Sequence, residues 1–261
     1  MSYTGTDGSW CGRSREIPCR SLSHVIPRIS SGDTINIDGS HAQNYFYDMC
    51  DFNSNDEIQA LNKSLKIVGI YGKARIGCLP NVKNDSIMYF IAKGAKELCK
   101  VEFKNVIIEN GAITINDCDG ELQNVTFSNA SLITDPTECE QISLYINNCT
   151  WLGSAKCFEN AICETTRPNR LYCNETDIAV TRTNFYQTMF MVNSRMVTRI
   201  LISEVLVDNK PNEAQHMGGL HFTFSARETS ILIRNSTFTK QLHPSRVKSV
   251  VNLFEASIWL K

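Results

Sequence analysis

The sequence predicts an all-β solenoid, a right-handed parallel β-helix with a short capping helix near its amino terminus. A short phrase, in which alternating apolar residues lead to a turn and then to a large apolar residue, returns along the chain at intervals of 19 to 34 residues. Alternation of this kind is the pattern of half-buried strands, and a repeat of this size is typical of solenoid coils. We expect one β-helix domain over residues 1–261.

The amino-terminal segment, residues 1–50, is predicted to form the cap and the first coil. Four apolar residues follow the i, i+3, i+4, i+7 spacing of one helix face: Leu22, Val25, Ile26 and Ile29. Gly32 is a stop signal, and Pro27 removes a helix hydrogen bond, so we expect a kinked or shortened helix. The stretch "TINIDG" then begins the first strand.

The interior repeat supplies one anchor residue per coil. The anchors are Ile108, Phe127, Trp151, Phe185, Val207 and Phe238, with successive spacings of 19, 24, 34, 22 and 31 residues. A unit near 20 residues has room for two or three short strands joined by turns. Longer spacings hold insertions at a turn, which a solenoid tolerates because each coil contacts only its neighbours. The six anchors are therefore predicted to stack in one column.

Three copies of the phrase, "LQNVTFSNA", "INNCTWLGS" and "IRNSTFTKQ", resemble the coils of right-handed parallel β-helices of the pectin-lyase-like superfamily, particularly its extracellular animal members. The stretch "CGRSREIPCRSLSHVIPRISSGDTINIDGSHAQNY" resembles the entry segment of such domains, in which a short capping helix precedes the first strand. The resemblance implies a β-helix. Many members of the superfamily cleave polysaccharides, so it also raises the question of catalysis, which fold alone does not answer.

The two ends of the chain suggest a piece of a larger protein. The stretch "SVVNLFEASIWLK" alternates like strands up to Lys261, so we expect a carboxy-terminal cap to be missing, because exposed solenoid ends need a cover. The start, "MSYTGTDGSWCG", has no apolar core of a signal peptide. The odd number of cysteines, 11, leaves one thiol without a partner inside the chain.

Composition gives little indication of an electrostatic partner. The 26 basic and 27 acidic side chains leave a formal net charge of -1, and neither Arg13 to Arg20 nor Lys93 to Lys104 forms an undiluted basic cluster. We therefore predict no nucleic-acid partner. No run approaches the roughly 18 apolar residues of a membrane span, so we predict no membrane insertion within this chain.

The cysteines indicate compartment and disulfides. None of them forms a C-x-x-C pair, which argues against a zinc ribbon or a thioredoxin-like motif, and we predict no metal and no cofactor. Their density is typical of an oxidising compartment, so an extracellular or cell-surface location is expected. We predict that Cys11 and Cys19 bridge the cap. Cys118 and Cys149 are expected to pack in the strands as small apolar thiols.

A cysteine-rich insertion is predicted at residues 152–177, within the 34-residue spacing. Four cysteines flank or occupy this spacing, and we expect disulfides between them to cross-link the loop: Cys139, Cys157, Cys163 and Cys173. A reactive or metal-binding cluster between Cys157 and Cys173 is the alternative interpretation.

Seven N-x-[ST] sequons are compatible with a secretory route. Three coincide with the repeat, where Asn at the junction of strand and turn is expected to point inward and to hydrogen-bond its counterpart in the next coil: Asn124, Asn148 and Asn235. The remaining four are the predicted glycosylation sites: Asn62, Asn84, Asn129 and Asn174.

Catalytic candidates are few. The superfamily's hydrolases use clustered aspartates within N-T-D, D-D, G-H-G and R-I-K signatures, and none of these occurs here. Asp117 and Asp119 could place two carboxylates on one strand face, where Ca²⁺ or a glycosidic oxygen could meet them, although Gly120 also favours a plain polar turn. His216 and His221 could act as acid and base or as metal ligands, but their spacing equally fits a turn entering a strand.

Two functional hypotheses follow. The favoured one is a noncatalytic extracellular or cell-surface module that binds glycans or proteins. The alternative is a divergent polysaccharide lyase or glycoside hydrolase, which would require several carboxylates, or a carboxylate pair with Arg or Lys, in a groove along one sheet. A β-sandwich is a third possibility for the fold, and it predicts antiparallel hairpins.

Overall fold

The computed structural model describes seventeen stretches of the chain, namely residues 1–43, 47–48, 58–61, 63–77, 87–91, 99–110, 112–116, 118–128, 130–134, 141–152, 170–171, 175–186, 189–194, 197–208, 219–224, 229–239 and 256–260. Strands are numbered in chain order. Among the described residues, no helix is both long enough and apolar enough to cross a membrane.

The predicted capping helix is present and short. Helix α1 spans Leu22–Val25 and passes directly into a 3-10 turn at Ile26–Arg28. Pro27 lies in that turn, so the shortening expected from its missing N–H is confirmed. Leu22 and Ile26 are fully buried in the core, which places the apolar helix face against the stack.

Two large sheets form most of the fold. Sheet A has nine strands in the order β1 (Thr34–Asp38), β4 (Leu65–Ile70), β7 (Cys99–Lys104), β10 (Cys118–Gln123), β13 (Gln141–Asn147), β16 (Glu175–Thr181), β19 (Val197–Ser203), β22 (Thr229–Arg234) and β24 (Ala256–Leu260). Sheet B has eight strands in the order β2 (Tyr47–Asp48), β5 (Ala74–Gly77), β8 (Val106–Glu109), β11 (Thr126–Ser128), β14 (Thr150–Leu152), β17 (Asn184–Tyr186), β20 (Leu206–Asp208) and β23 (Thr237–Thr239).

Two smaller sheets complete the described strands. One has the order β12 (Ser131–Thr134), β9 (Ala112–Asn116), β6 (Ile87–Ile91) and β3 (Ile58–Leu61). The other has the order β15 (Arg170–Leu171), β18 (Met189–Ser194) and β21 (Gly219–Phe224).

Every strand pair in the described part of the chain is parallel, and most spatial neighbours in the two large sheets lie three strands apart in sequence. The chain therefore winds as a parallel β-helix, and the β-sandwich alternative, which requires antiparallel hairpins, is wrong. Parallel crossover connections are right-handed in almost all proteins, and we expect that sense here.

The predicted anchor column is confirmed. Each anchor is the register partner of the next, in the order Ile108, Phe127, Trp151, Phe185, Val207 and Phe238. The Phe127 and Trp151 rings stack with centroids 4.4 Å apart, and the Trp151 and Phe185 rings with centroids 5.0 Å apart. Such aromatic pairs add about 0.5–1.5 kcal/mol beyond the area they bury.

Left-handed backbone explains the recurring Asn of the phrase. At the corner between sheet A and sheet B one residue of successive coils has positive φ, between 49° and 57°: Asn105, Asn124, Asn148, Arg182, Glu204 and Asn235. Asn tolerates this conformation better than most residues. Asn124 Nδ2 donates to Asn105 Oδ1 at 2.8 Å, so the predicted bond between coils is confirmed there.

Asn148 and Asn235 differ from Asn124, because their side chains are exposed. The inward orientation predicted for these two residues is therefore wrong. Their identity follows from the left-handed corner, which Asn can occupy whether or not its amide bonds to the next coil.

The described cysteines form two disulfides. Cys11 bonds to Cys19, as predicted. Cys99 bonds to Cys118, so the prediction of a free thiol at Cys118 is wrong, and the reason is that parallel register places these residues side by side on β7 and β10. Cys149 is free and buried as expected, and burial raises the pKa of its thiol to about 11.

The predicted insertion at 152–177 and its disulfides fall mostly beyond the described stretches. Cys139, Cys157, Cys163 and Cys173 lie outside the described residues. Within this segment the structure describes β15, which pairs with β18, and the start of β16 at Glu175. The loop assignment, the single-domain assignment and the missing carboxy-terminal cap stay predictions.

Candidate functional site

A groove on the outer face of sheet A is the strongest candidate site in the described part of the chain. Its volume is about 440 Å³, and its lining comes from three neighbouring coils: Lys100, Asp119, Gly120, Glu121, Ser143 and Tyr145. Three strands of a sheet span about 10 Å, because neighbours lie about 4.8 Å apart.

Strand alternation and register position the side chains of the groove. In β10 the residues Cys118, Gly120 and Leu122 are buried, so Asp119 and Glu121 face outward. Register then aligns the outward residues of successive coils in a column that runs in the order Lys66, Glu102, Glu121 and Tyr145. Residues far apart in sequence become neighbours on one face.

Ion pairs link the charged side of this column. Lys66 Nζ lies 2.9 Å from Glu102 Oε2, and Lys100 Nζ lies 2.9 Å from Glu102 Oε1 and 2.6 Å from Glu121 Oε2. Hydrogen bonds from Lys66 and then from Lys100 lower the pKa of Glu102. Hydrogen bonds to Glu121 and then to Glu102 raise the pKa of Lys100. Glu102 and Lys100 therefore stay ionised at neutral pH.

The direction of these shifts bears on catalysis. A carboxylate pair with a lysine along one sheet is the geometry that favours an enzyme, and Glu102, Glu121 and Lys100 meet it. However, a glycosidase acid needs a raised carboxyl pKa and a lysine base needs a lowered one. Here the pKa of Glu102 is lowered and that of Lys100 is raised. Both pKa shifts are therefore opposite in direction to those of a glycosidase acid and of a lysine base.

Asp119, the one catalytic candidate whose side chain the structure describes, lines the groove. Its Oδ1 accepts a hydrogen bond of 2.7 Å from the backbone N–H of Ser143, which ties β10 to β13. A carboxylate held by a backbone donor is fixed in place and is a ready acceptor for a ligand hydroxyl through its second oxygen.

Tyr145 supplies the apolar surface of the groove. The residue is 58% exposed and lies beside Glu121 in register. Continuing away from Glu121, the outward column becomes apolar, with Ala179 and then Leu201 as the next register partners. An exposed aromatic ring between charged and apolar surface is a typical platform for a ligand with both polar edges and an apolar face.

Among the predicted site residues that the structure describes, His221 is not brought into this groove. His221 lies on β21, in the three-stranded sheet, and not on sheet A. Asp117 and His216 lie outside the described residues. The same holds for the four predicted glycosylation sites, Asn62, Asn84, Asn129 and Asn174.

Lys100, Glu121 and Tyr145 were missed at the sequence level, although a signal was present. In three successive strands of sheet A, the position between two buried apolar or small residues is occupied by Glu102, Glu121 and Tyr145. An alignment of the repeats in the register of the strands would have shown this outward column. That register is not visible from one sequence, because the coils differ in length.

A second cluster lies in the cap. Ligand atoms of Asp7, Cys11, Cys19 and His24 lie within 4.8 Å of one another. The two cysteines form a disulfide, so they offer no thiolate to a metal. Asp7 already accepts hydrogen bonds from the backbone N–H groups of Arg20 and Ser21 and from the Ser21 hydroxyl. The disulfide and the hydrogen bonds of Asp7 therefore stabilise the fold of the cap.

Fold and groove together define the class of this protein, a parallel β-helix with a mixed polar and aromatic groove on the outside of its largest sheet. Comparison with known protein families, with characterised proteins and with solved structures finds no match for the chain.

Proposed function

We propose that the protein is a noncatalytic extracellular or cell-surface module of the pectin-lyase-like type, which binds a glycan along the outer face of sheet A. The observation that carries the proposal is the exposed Tyr145 ring beside a groove lined by charged and hydroxyl side chains. A sugar ring presents an apolar C–H face and a polar edge of hydroxyls. Tyr145 matches the face, and Asp119, Glu121, Lys100 and Ser143 match the edge.

The shape of the surface supports a chain-like ligand. Coils repeat along the sheet, so polar groups recur at strand spacing, about 4.8 Å, across β7, β10 and β13. A polysaccharide repeats its hydroxyl groups along its length as well. Two disulfides in the described residues support an oxidising compartment, where such ligands are common.

The test is glycan-array binding by the wild-type protein and two tyrosine variants. We expect Tyr145→Ala to weaken binding about tenfold, which corresponds to about 1.4 kcal/mol, because the stacking face is lost. Tyr145→Phe should bind nearly as the wild type does. The matched control is Tyr186→Ala, an outward tyrosine on sheet B, and it should leave binding unchanged. Equal losses in both alanine variants, or no glycan binding by the wild type, would contradict the proposal.

The alternative, a divergent polysaccharide lyase or glycoside hydrolase, is favoured by one observation, the convergence of Glu102, Glu121 and Lys100. Depolymerisation of acidic polysaccharides by the wild type, abolished by Glu121→Gln, would establish it. We expect no depolymerisation, because the pKa shifts keep Lys100 and Glu102 charged.

A further inference from the structure

A second surface, separate from the groove, lies on the amino-terminal cap. The loop closed by the Cys11–Cys19 disulfide exposes Trp10 at its start and Ile17 near its end, with 65% and 51% of each residue accessible. Tyr71, at the turn after β4, is 60% exposed. None of these residues lines the groove of sheet A.

Two arginines of this loop lie over exposed aromatic rings. The Arg13 guanidinium carbon is 4.4 Å from the Trp10 ring centroid, and that of Arg15 is 5.0 Å from the Tyr71 ring centroid. A guanidinium that lies over a ring can still donate its N–H groups to a carboxylate or sulfate. Within the described residues neither arginine is engaged in an ion pair, although Glu16 lies close enough to interact with Arg15.

The part of the cap that precedes the first strand carries a surplus of positive charge, whereas the rest of the chain is acidic. Residues 1–32 contain four arginines and two acidic residues, whereas the remaining chain contains 22 basic and 25 acidic side chains. Of the two acids, Asp7 is held by Ser21 and the Arg20 backbone, and Glu16 accepts a hydrogen bond from Ser14. Both carboxylates therefore already accept hydrogen bonds from other residues of the cap.

The loop is also well fixed. Besides the disulfide, the Gly12 N–H donates to the Ile17 carbonyl at 2.7 Å, and the Cys11 N–H donates to the Gly8 carbonyl at 3.2 Å. A loop that is already ordered loses little conformational freedom on binding, so its contacts contribute more fully to affinity.

We propose that Arg13 and Arg15, presented on Trp10 and Tyr71, form a binding site for an acidic polysaccharide that carries sulfate or carboxylate groups. Guanidinium groups match these anions with paired hydrogen bonds, and the exposed rings match the apolar faces of the sugars. A nucleic acid needs a longer basic surface than two arginines supply, and an oxidising compartment favours a polysaccharide as the polyanion.

The test is chromatography of the intact chain on immobilised heparin, with the salt concentration at elution as the readout. The double variant Arg13→Gln/Arg15→Gln should elute at clearly lower salt than the wild type, because two anion contacts are lost. The control Arg182→Gln/Arg234→Gln removes the same charge from two exposed arginines at or next to the corner of later coils, and it should elute as the wild type does. A third variant, Trp10→Ala/Tyr71→Ala, keeps the charge and should also elute earlier.

Equal shifts in both arginine variants, or no retention of the wild type on heparin, would overturn the proposal. Retention on immobilised single-stranded DNA at the same salt as on heparin would overturn the polysaccharide assignment. In the glycan-array assay, Arg13→Gln/Arg15→Gln should leave the Tyr145-dependent binding unchanged, so failure of the cap site and failure of the groove can be told apart.

Discussion

Single residues at the corners of the coils decide how the chain turns from sheet A to sheet B. In the six successive coils from Asn105 to Asn235 this residue has left-handed backbone, and four of the six are Asn. Asn124 combines two roles, since it tolerates positive φ and also donates to Asn105 in the preceding coil. Arg182 and Glu204 occupy the same corner without that amide, which shows that the backbone geometry persists when the side chain changes.

Asn124 offers a test of these two roles. We expect Asn124→Ala to lower the free energy of unfolding by about 2 kcal/mol, because alanine is strained at positive φ and the hydrogen bond to Asn105 is lost. Asn124→Gly removes the bond but tolerates the backbone, so a loss of about 1 kcal/mol is expected. Urea unfolding followed by circular dichroism measures both. Equal losses in the two variants would show that the left-handed corner contributes nothing.

At the scale of elements, strand pairing between coils holds the solenoid together. Each coil contacts its neighbours through parallel strands in two large sheets, and the anchor column fills the space between them. Solenoid stability is approximately a sum of coil and interface contributions. A covalent link between adjacent coils should therefore stabilise one interface directly, and Cys99–Cys118 is such a link between β7 and β10.

We expect Cys99→Ala/Cys118→Ala to lower the free energy of unfolding by about 3 kcal/mol, because the disulfide closes a loop with a sequence separation of 19. The matched variant Cys11→Ala/Cys19→Ala opens a shorter loop, with a separation of 8, and should lose less. Urea unfolding of both under non-reducing conditions measures the difference. A larger loss in the cap variant would contradict this ranking.

The elements also show how far the sequence alone could predict the fold. The anchors from Ile108 to Phe238 were predictable because large apolar residues recur after each corner, whatever the coil length. The Cys99–Cys118 bond and the pairing of Glu121 with Tyr145 were not, because both depend on the register between coils. Register follows from backbone pairing, and insertions of variable length hide it in one sequence.

For the whole molecule, stacking of coils turns residues that are distant in sequence into continuous surfaces. Lys66, Glu102, Glu121 and Tyr145 come from four successive coils and form one outward column. The glycan-binding proposal depends on this arrangement. A different register would move Tyr145 away from the charged side chains and would remove the groove.

Carbodiimide cross-linking of the native protein, read by peptide mass spectrometry, tests this register most directly, because it joins only lysines and carboxylates that are in contact. We predict two links between coils, Lys66 to Glu102 and Lys100 to Glu121, whose charged atoms lie 2.9 Å and 2.6 Å apart. A link from Lys100 to Glu102 within β7 is the internal control, since any extended strand places these two side chains on one face. Recovery of the control link without the two links between coils would contradict the stacked arrangement.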